Sequence, residues 1–247
     1  MELVCLVVTR KTSALIFLLL LTAVFPPTPS ARDQAAILKW SEGQLGCTFS
    51  ADDDGKYRYG LWTGSFGITL AVDAQELQKS VRRIEPLFAL WLTLHYRGST
   101  SIALRPEVIS LEFVKHEHDV ERSLDPEKIA TELQAEADAF RLATTREISK
   151  HPEQKAEREV ALQSHLQDVE QTELFVKSRG LPAATLDPAH AETSGWVFFK
   201  ARSKWVGDWR PQEEFMLRVP LGQQVVEFPF ALPPSEGDLL LRKRPGL

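Results

Sequence analysis

Two histidines one residue apart form the sharpest concentration of ligating side chains in the chain, in the cluster His116-Glu117-His118-Asp119. On a strand, side chains return to one face every second residue. If the strand that begins near residue 107 runs on through this cluster, Glu112, His116 and His118 share a face. Two imidazoles at that spacing chelate zinc or copper once a further ligand joins them. The sequence names no obvious third ligand and contains no His-Glu-x-x-His motif. The competing reading is a solvated strand end leading into a helix. His116 and His118 are therefore the metal candidates.

Trp196, Trp205 and Trp209 fall within 14 residues. Tryptophans on a β-sheet surface can stack sugar rings. Trp196 alternates with Phe198 as core residues do. Trp205 and Trp209 lie in the polar, turn-like stretch 204–210 and are the ligand-binding candidates, against the alternative that they pack over a sheet edge.

Other chemistries find less support. Asp52, Asp54 and Gly55 suggest a calcium loop, but with Gly55 at the sixth position the twelfth is Leu61, not the required Glu; an acidic hairpin turn fits better. Gly64-Ser65-Phe66-Gly67 is not the Gly-x-Ser-x-Gly of a nucleophile elbow. Cys47 has no charged activator beside it and reads as a small hydrophobe on a strand. No glycine-rich phosphate loop or dinucleotide fingerprint is present, and no cofactor is expected.

The ends and composition frame these candidates. Arg10 and Lys11 precede an uncharged run over residues 13–25, followed by Pro26, Pro27, Pro29 and then Ser30 and Ala31. A basic flank, a short apolar stretch, a break and small residues describe a secretory signal peptide over residues 1–31. The run is shorter than the roughly 20 residues of a spanning helix. An uncleaved, membrane-tethering segment is the alternative. Loss of Glu2, Arg10 and Lys11 takes the formal charge from −5 to −6. A modest acidic excess argues against nucleic acid as a partner. Cys5 leaves with the signal, so the mature chain has no partner for Cys47 within it. Arg242, Lys243 and Arg244 end the last apolar stretch in a basic tip, read as a soluble strand cap rather than a contact with an anionic surface.

Three blocks must position the candidates. The first, residues 44–120, is β-rich. Strands are expected over 45–49, 56–62, 66–72, 86–97, 102–104 and 107–115, from alternation such as Phe66, Ile68, Leu70 and Val72, and from the Asp-Gly hairpin signal at 54–55. The second, residues 125–180, is rich in Ala, Glu, Gln, Lys and Arg. Asp125 serves as N-cap with Pro126 at the first helical position. Ile129, Leu133, Ala137, Phe140, Thr144 and Ile148 draw one apolar stripe. His151-Pro152 breaks the helix. Val160, Leu162, Leu166, Val169 and Val176 mark a second, which Gly180 ends as a left-handed cap. The third block, residues 195–244, returns to strands over 196–199, 214–219, 225–230 and 239–241.

The stretch 86–104 with Ile109-Ser110-Leu111, together with Gly195-Trp196-Val197-Phe198-Phe199 and the later Phe215-Met216-Leu217-Arg218-Val219-Pro220, resembles the immunoglobulin-like, telokin-type accessory domains of secreted bacterial proteins. The resemblance implies an interaction or stability module, and none of the matched residues is catalytic.

The expected fold is thus mainly β with an α insertion: an immunoglobulin-like β-sandwich built from residues 32–124 and 181–247, carrying a long antiparallel helical hairpin over 125–180. The function expected first is a non-enzymatic extracytoplasmic interaction or accessory protein, secreted or periplasmic, whose hairpin meets a protein partner. Carbohydrate binding through Trp205 and Trp209 and metal-dependent catalysis at His116 and His118 are the alternatives.

Overall fold

Strand β5 (Leu87–Tyr96) turns Phe88, Leu90, Leu92 and Leu94 to one side and Leu87 and Ala89 to the other, and all six are buried. A strand that is apolar on both faces must be covered twice, and the rest of the fold supplies the two covers. The structure is a computed structural model that describes residues 35–51, 56–73, 87–201 and 212–232. The proposed signal segment, the loop at 52–55, Trp205, Trp209 and the basic tip lie outside those residues.

The other strands are β1 (Ala36–Lys39), β2 (Cys47–Ala51), β3 (Lys56–Trp62), β4 (Phe66–Asp73), β6 (Ile102–Leu104), β7 (Ser110–Phe113), β8 (Asp119–Arg122), β9 (Ala184–Leu186), β10 (Glu192–Lys200), β11 (Glu213–Leu221) and β12 (Gln224–Leu232). One five-stranded sheet runs β1-β12-β11-β7-β8, a second runs β10-β5-β4-β3-β2, and β6 pairs with β9. All pairings are antiparallel except β1 with β12. Pro229 lacks a ladder donor, and it sits past Glu227, the last β12 residue that β1 reaches.

The inner faces of the two five-stranded sheets share one apolar cluster. Phe88 meets Phe215 at 4.9 Å and Phe113 at 5.8 Å between ring centroids, and Tyr59 meets Phe230 at 6.0 Å. Trp40 closes one end, its indole N–H donating to the Thr48 carbonyl at 3.0 Å. Cys47 is half-buried against this core, with its thiol free.

The second cover is helical. Helix α1 (Pro126–Lys150) starts where Asp125 accepts the Glu127 N–H at 3.0 Å, and it ends at His151. A short 3₁₀ turn (Pro152–Gln154) leads into α2 (Lys155–Arg179). Glu127 lies 3.7 Å from Lys177 and Glu147 lies 4.0 Å from Arg158, so the helices run in opposite directions side by side. Ile129, Leu133, Ala137, Val169 and Val176 form a second apolar cluster with Leu87, Ala89 and Phe198 on the outer side of β5 and β10.

Three expectations change. The strand expected over 107–115 is a 3₁₀ turn (Pro106–Val108) followed by β7, which stops at Phe113. Gly180 is not a left-handed cap, since its φ is −60°. It is glycine because a Cβ there would stand 2.8 Å from Pro126 Cγ. Phe140 and Val160, expected in the helical stripes, are 41% and 70% exposed, and buried Thr172 takes a place that the apolar pattern did not mark.

Candidate functional site

The turn that holds the histidines determines what they can do. After Phe113 the chain leaves the ladder for residues 114–118 and re-enters it at Asp119, which pairs back onto Phe113. Glu117 and His118 both take φ of 57°, the left-handed conformation that reverses the chain. Period-two alternation therefore does not extend through the cluster, and the two imidazoles part. The His116 ring lies 6.5 Å from the Phe113 ring, and its Nε2 is 3.2 Å from Glu213 Oε2. His118 Nδ1 lies 2.5 Å from Glu112 Oε1. Phe113 belongs to the core face of its strand and Glu112 to the opposite face, so His116 and His118 serve different sides of the sheet. Among the described residues no group of three His, Cys, Asp or Glu side chains gathers as a metal site. The pair holds the turn down by separate contacts.

Glu112 anchors a row of charges on the outer face of that sheet. Arg218 Nη2 lies 2.6 Å from Glu112 Oε2, and Arg218 Nε donates to Glu227 Oε1 at 3.0 Å. Lys39 stands opposite Glu227 in the β1–β12 register. Charges of alternating sign thus cross the sheet from β1 to the β7–β8 turn. The bond to His118, reinforced by Arg218, holds the Glu112 carboxyl below the usual carboxylate range, against the opposing effect of burial. Glu112 and Glu227 share the Arg218 guanidinium, and Glu112 also meets His118, which makes this part of the row a structural clamp.

The outer face of the other sheet carries aromatic groups. Register places Trp62, Gly67, His95 and Glu192 in one row across β3, β4, β5 and β10. Arg58, Ala71, Trp91 and Trp196 form another row, and Gly60, Thr69, Thr93 and Ser194 lie between them. The Trp62 indole lies against the sheet: a Cβ on Gly67 would meet its Cε3 at 2.1 Å, and a Cβ on Gly60 would meet its Nε1 at 3.1 Å. The His95 ring lies beside it, 5.6 Å away and tilted by 23°, and the Arg97 guanidinium stands 5.3 Å over its centroid. Trp91 donates its indole N–H to Thr93 Oγ1 at 3.1 Å and meets Trp196 edge-on at 5.5 Å. Trp196 packs in turn on Phe175 of α2.

The helices form a third exposed surface. Their fully buried positions fall in the halves nearest the sheet, except Thr144. Beyond Ala137 and before Val169 the helices pack on each other. There Phe140 meets the His165 ring at 4.4 Å, beside a cavity of about 210 Å³ lined by Phe140, Thr144, Glu147, Arg158 and Ala161. Phe140, Leu142 and Val160 remain exposed.

Trp205 and Trp209 lie outside the described residues, so the structure does not place them. Sequence reasoning missed Arg218 and Glu227, although a signal existed. A two-residue turn at Gly222-Gln223 puts Arg218 opposite Glu227, and the structure has that register. No protein-family model matches the chain, and no curated protein or solved structure matches it either.

Proposed function

We propose that this protein is a non-enzymatic interaction module that works outside the cytoplasm and meets a protein partner through the distal half of its helical pair. The two five-stranded sheets around one core are read as a β-sandwich, and the helices as a hairpin inserted between β8 and β9. The telokin-type, immunoglobulin-like reading draws support from β5 and β10. Two of the segments that carry the resemblance pair directly, Leu90 opposite Val197 and Phe88 opposite Phe199. The extracytoplasmic reading rests on the signal-like pattern of residues 1–31.

The observation that carries the proposal is the split use of each helix. Each has 25 residues, about 37 Å at 1.5 Å per residue. The basal half closes the core. The distal half adds to it only the partly buried Leu166 and exposes Phe140, Leu142 and Val160. The base is fixed at both ends of the insertion: Leu124 N–H donates to Phe198 O and Leu181 N–H to Trp196 O, each at 2.8 Å. A firm base under an exposed tip suits a presented surface.

Replacing residues 140–165 by a four-residue linker shortens both helices equally and keeps Leu166 and the base in register. The full chain is first crosslinked in the exporting cell to identify the protein it touches. The shortened chain is expected to lose that crosslink while keeping its melting transition. An undiminished crosslink overturns the reading.

A further inference from the structure

We propose that the outer face of the β2-β3-β4-β5-β10 sheet binds an acidic oligosaccharide, stacking its rings on Trp62 and Trp91 and placing its anionic group at Arg97. The site is separate from the helical tip, and the two proposals stand or fall apart.

The argument begins with the room made for the indoles. Outward positions of a sheet ordinarily carry side chains that fill the surface. Here Gly60 and Gly67 are bare: the space a Cβ would take on Gly67 is occupied by the Trp62 ring, and that on Gly60 by the Thr48 hydroxyl, with Trp62 Nε1 close by. The ring lies over Gly67 and beside His95, and the Arg97 guanidinium stands 5.3 Å from its centroid. Trp91 is oriented by its bond to Thr93 and by the edge of Trp196. Both tryptophans are half-buried, as are Thr69 and Thr93 between them. Trp91 and His95, which mark the two aromatic rows on β5, are four residues apart, about 14 Å at 3.4 Å per residue. That span exceeds one sugar ring and suits two rings of one chain.

The floor between the rows supplies hydroxyls rather than apolar chains: Thr69, Thr93 and Ser194 in register, with Thr48 opposite Gly60. A partner protein would be expected to meet a drier, more apolar patch. A sugar presents C–H faces to rings and hydroxyls to hydroxyls.

Charge selects among sugars. Lys56 pairs with Asp73 at 4.0 Å, and His95 Nδ1 lies 3.5 Å from Glu192 Oε2. Arg97 is exposed, and among the described residues no carboxylate pairs with it; its guanidinium rests on the Trp62 ring. A sugar ring that stacks on Trp62 takes the place of the guanidinium over the indole and leaves its N–H fork at the edge of the stack, placed to take the carboxylate or sulfate of that sugar.

The purified mature chain is titrated with three probes, an oligogalacturonate, a heparin oligosaccharide and a neutral cello-oligosaccharide, by calorimetry and affinity electrophoresis. One or both acidic probes are expected to bind at least tenfold more tightly than the neutral one. Trp62→Ala and Trp91→Ala are each expected to weaken binding at least tenfold. Arg97→Gln should remove the preference for acidic probes. Trp205→Ala and Trp209→Ala should change affinity less than twofold. Thr69→Glu, which fills the floor with like charge while leaving both rings and the Trp91–Thr93 bond in place, guards against misfolding and should abolish binding of the acidic probes with an unchanged melting transition. No binding of any probe, equal affinity for acidic and neutral probes, or loss through Trp205 and Trp209 instead overturns the proposal.

Discussion

Leu181 crosses Gly195 so closely that a Cβ on Gly195 would stand 2.5 Å from Leu181 Cα and 2.6 Å from its nitrogen. The chain leaving α2 is seated on β10 at this point, by the Leu181–Trp196 hydrogen bond and a bridge from Gly180 to Trp196. Both neighbours are backbone, so no side chain can swing away. Gly195→Ala is expected to cost about 3 kcal/mol, whereas Gly64→Ala, with nothing within 4 Å of the new Cβ, should change stability by less than about 0.5 kcal/mol. Thermal melts of the two variants check this.

The Glu112 clamp sets an acid limit. Its folded-state pKa lies below the ordinary carboxylate value, held there first by His118 and then by Arg218. The folded protein then binds fewer protons than the unfolded chain. The stabilisation is complete above the unfolded pKa, near 4.3, and is lost as pH falls through the lower folded value. Glu112→Gln is expected to destabilise the protein at pH 7 and to flatten the acid limb of its stability profile below about pH 4.3. Arg218→Ala leaves Glu112 and Glu227 without their shared cation. It should cost about 2 kcal/mol, less than a fully buried pair because 32% of the Arg218 side chain is exposed. Urea denaturation across pH measures both.

The long strands were legible because their inward residues are large and alternate. Phe66, Ile68, Leu70 and Val72 of β4 and Phe215, Leu217 and Val219 of β11 lie inward as period two requires. The Asp125-Pro126 start and the His151-Pro152 break were legible from local chemistry. Three of the short strands were not: β1, β8 and β9 have three or four residues each, too few for an alternation to show. The His116–His118 turn hid for a related reason. Only φ reversal at Glu117 and His118 separates the imidazoles, and neither residue type announces it. The aromatic face of the second sheet was hidden because its parts come from four strands brought into register. Trp62, Trp91 and Trp196 are far apart in sequence.

The exposed residues of the helical tip allow a test in which binding and stability separate. Leu142 and Val160 are 60% and 70% exposed, so Leu142→Ser and Val160→Ser should each change stability by less than about 0.5 kcal/mol. A loss of partner crosslinking in either variant would then report the surface itself. A large drop in melting temperature would instead show that the distal halves are packed against other parts of the chain.

Strands β5 and β10 belong to two cores at once, and this predicts how the molecule opens. Leu90 and Phe199 face the cluster between the sheets, whereas Ala89 and Phe198 face the cluster under the helices. Leu133 belongs only to the second cluster and is 4% exposed. Leu133→Ala is expected to cost about 2–5 kcal/mol of helix docking. The sheets keep their own core, so the helices should open without them. Amide exchange in α1 and basal α2 should accelerate by at least tenfold while β3 and β4 exchange at the parental rate. Equal acceleration in β3 and β4 would mean that the two clusters melt as one and that the helical pair is an integral cover of the fold. In Leu90→Ala the pattern should invert in scope. A cavity in the shared core lowers global stability, so every strand and both helices should exchange faster together.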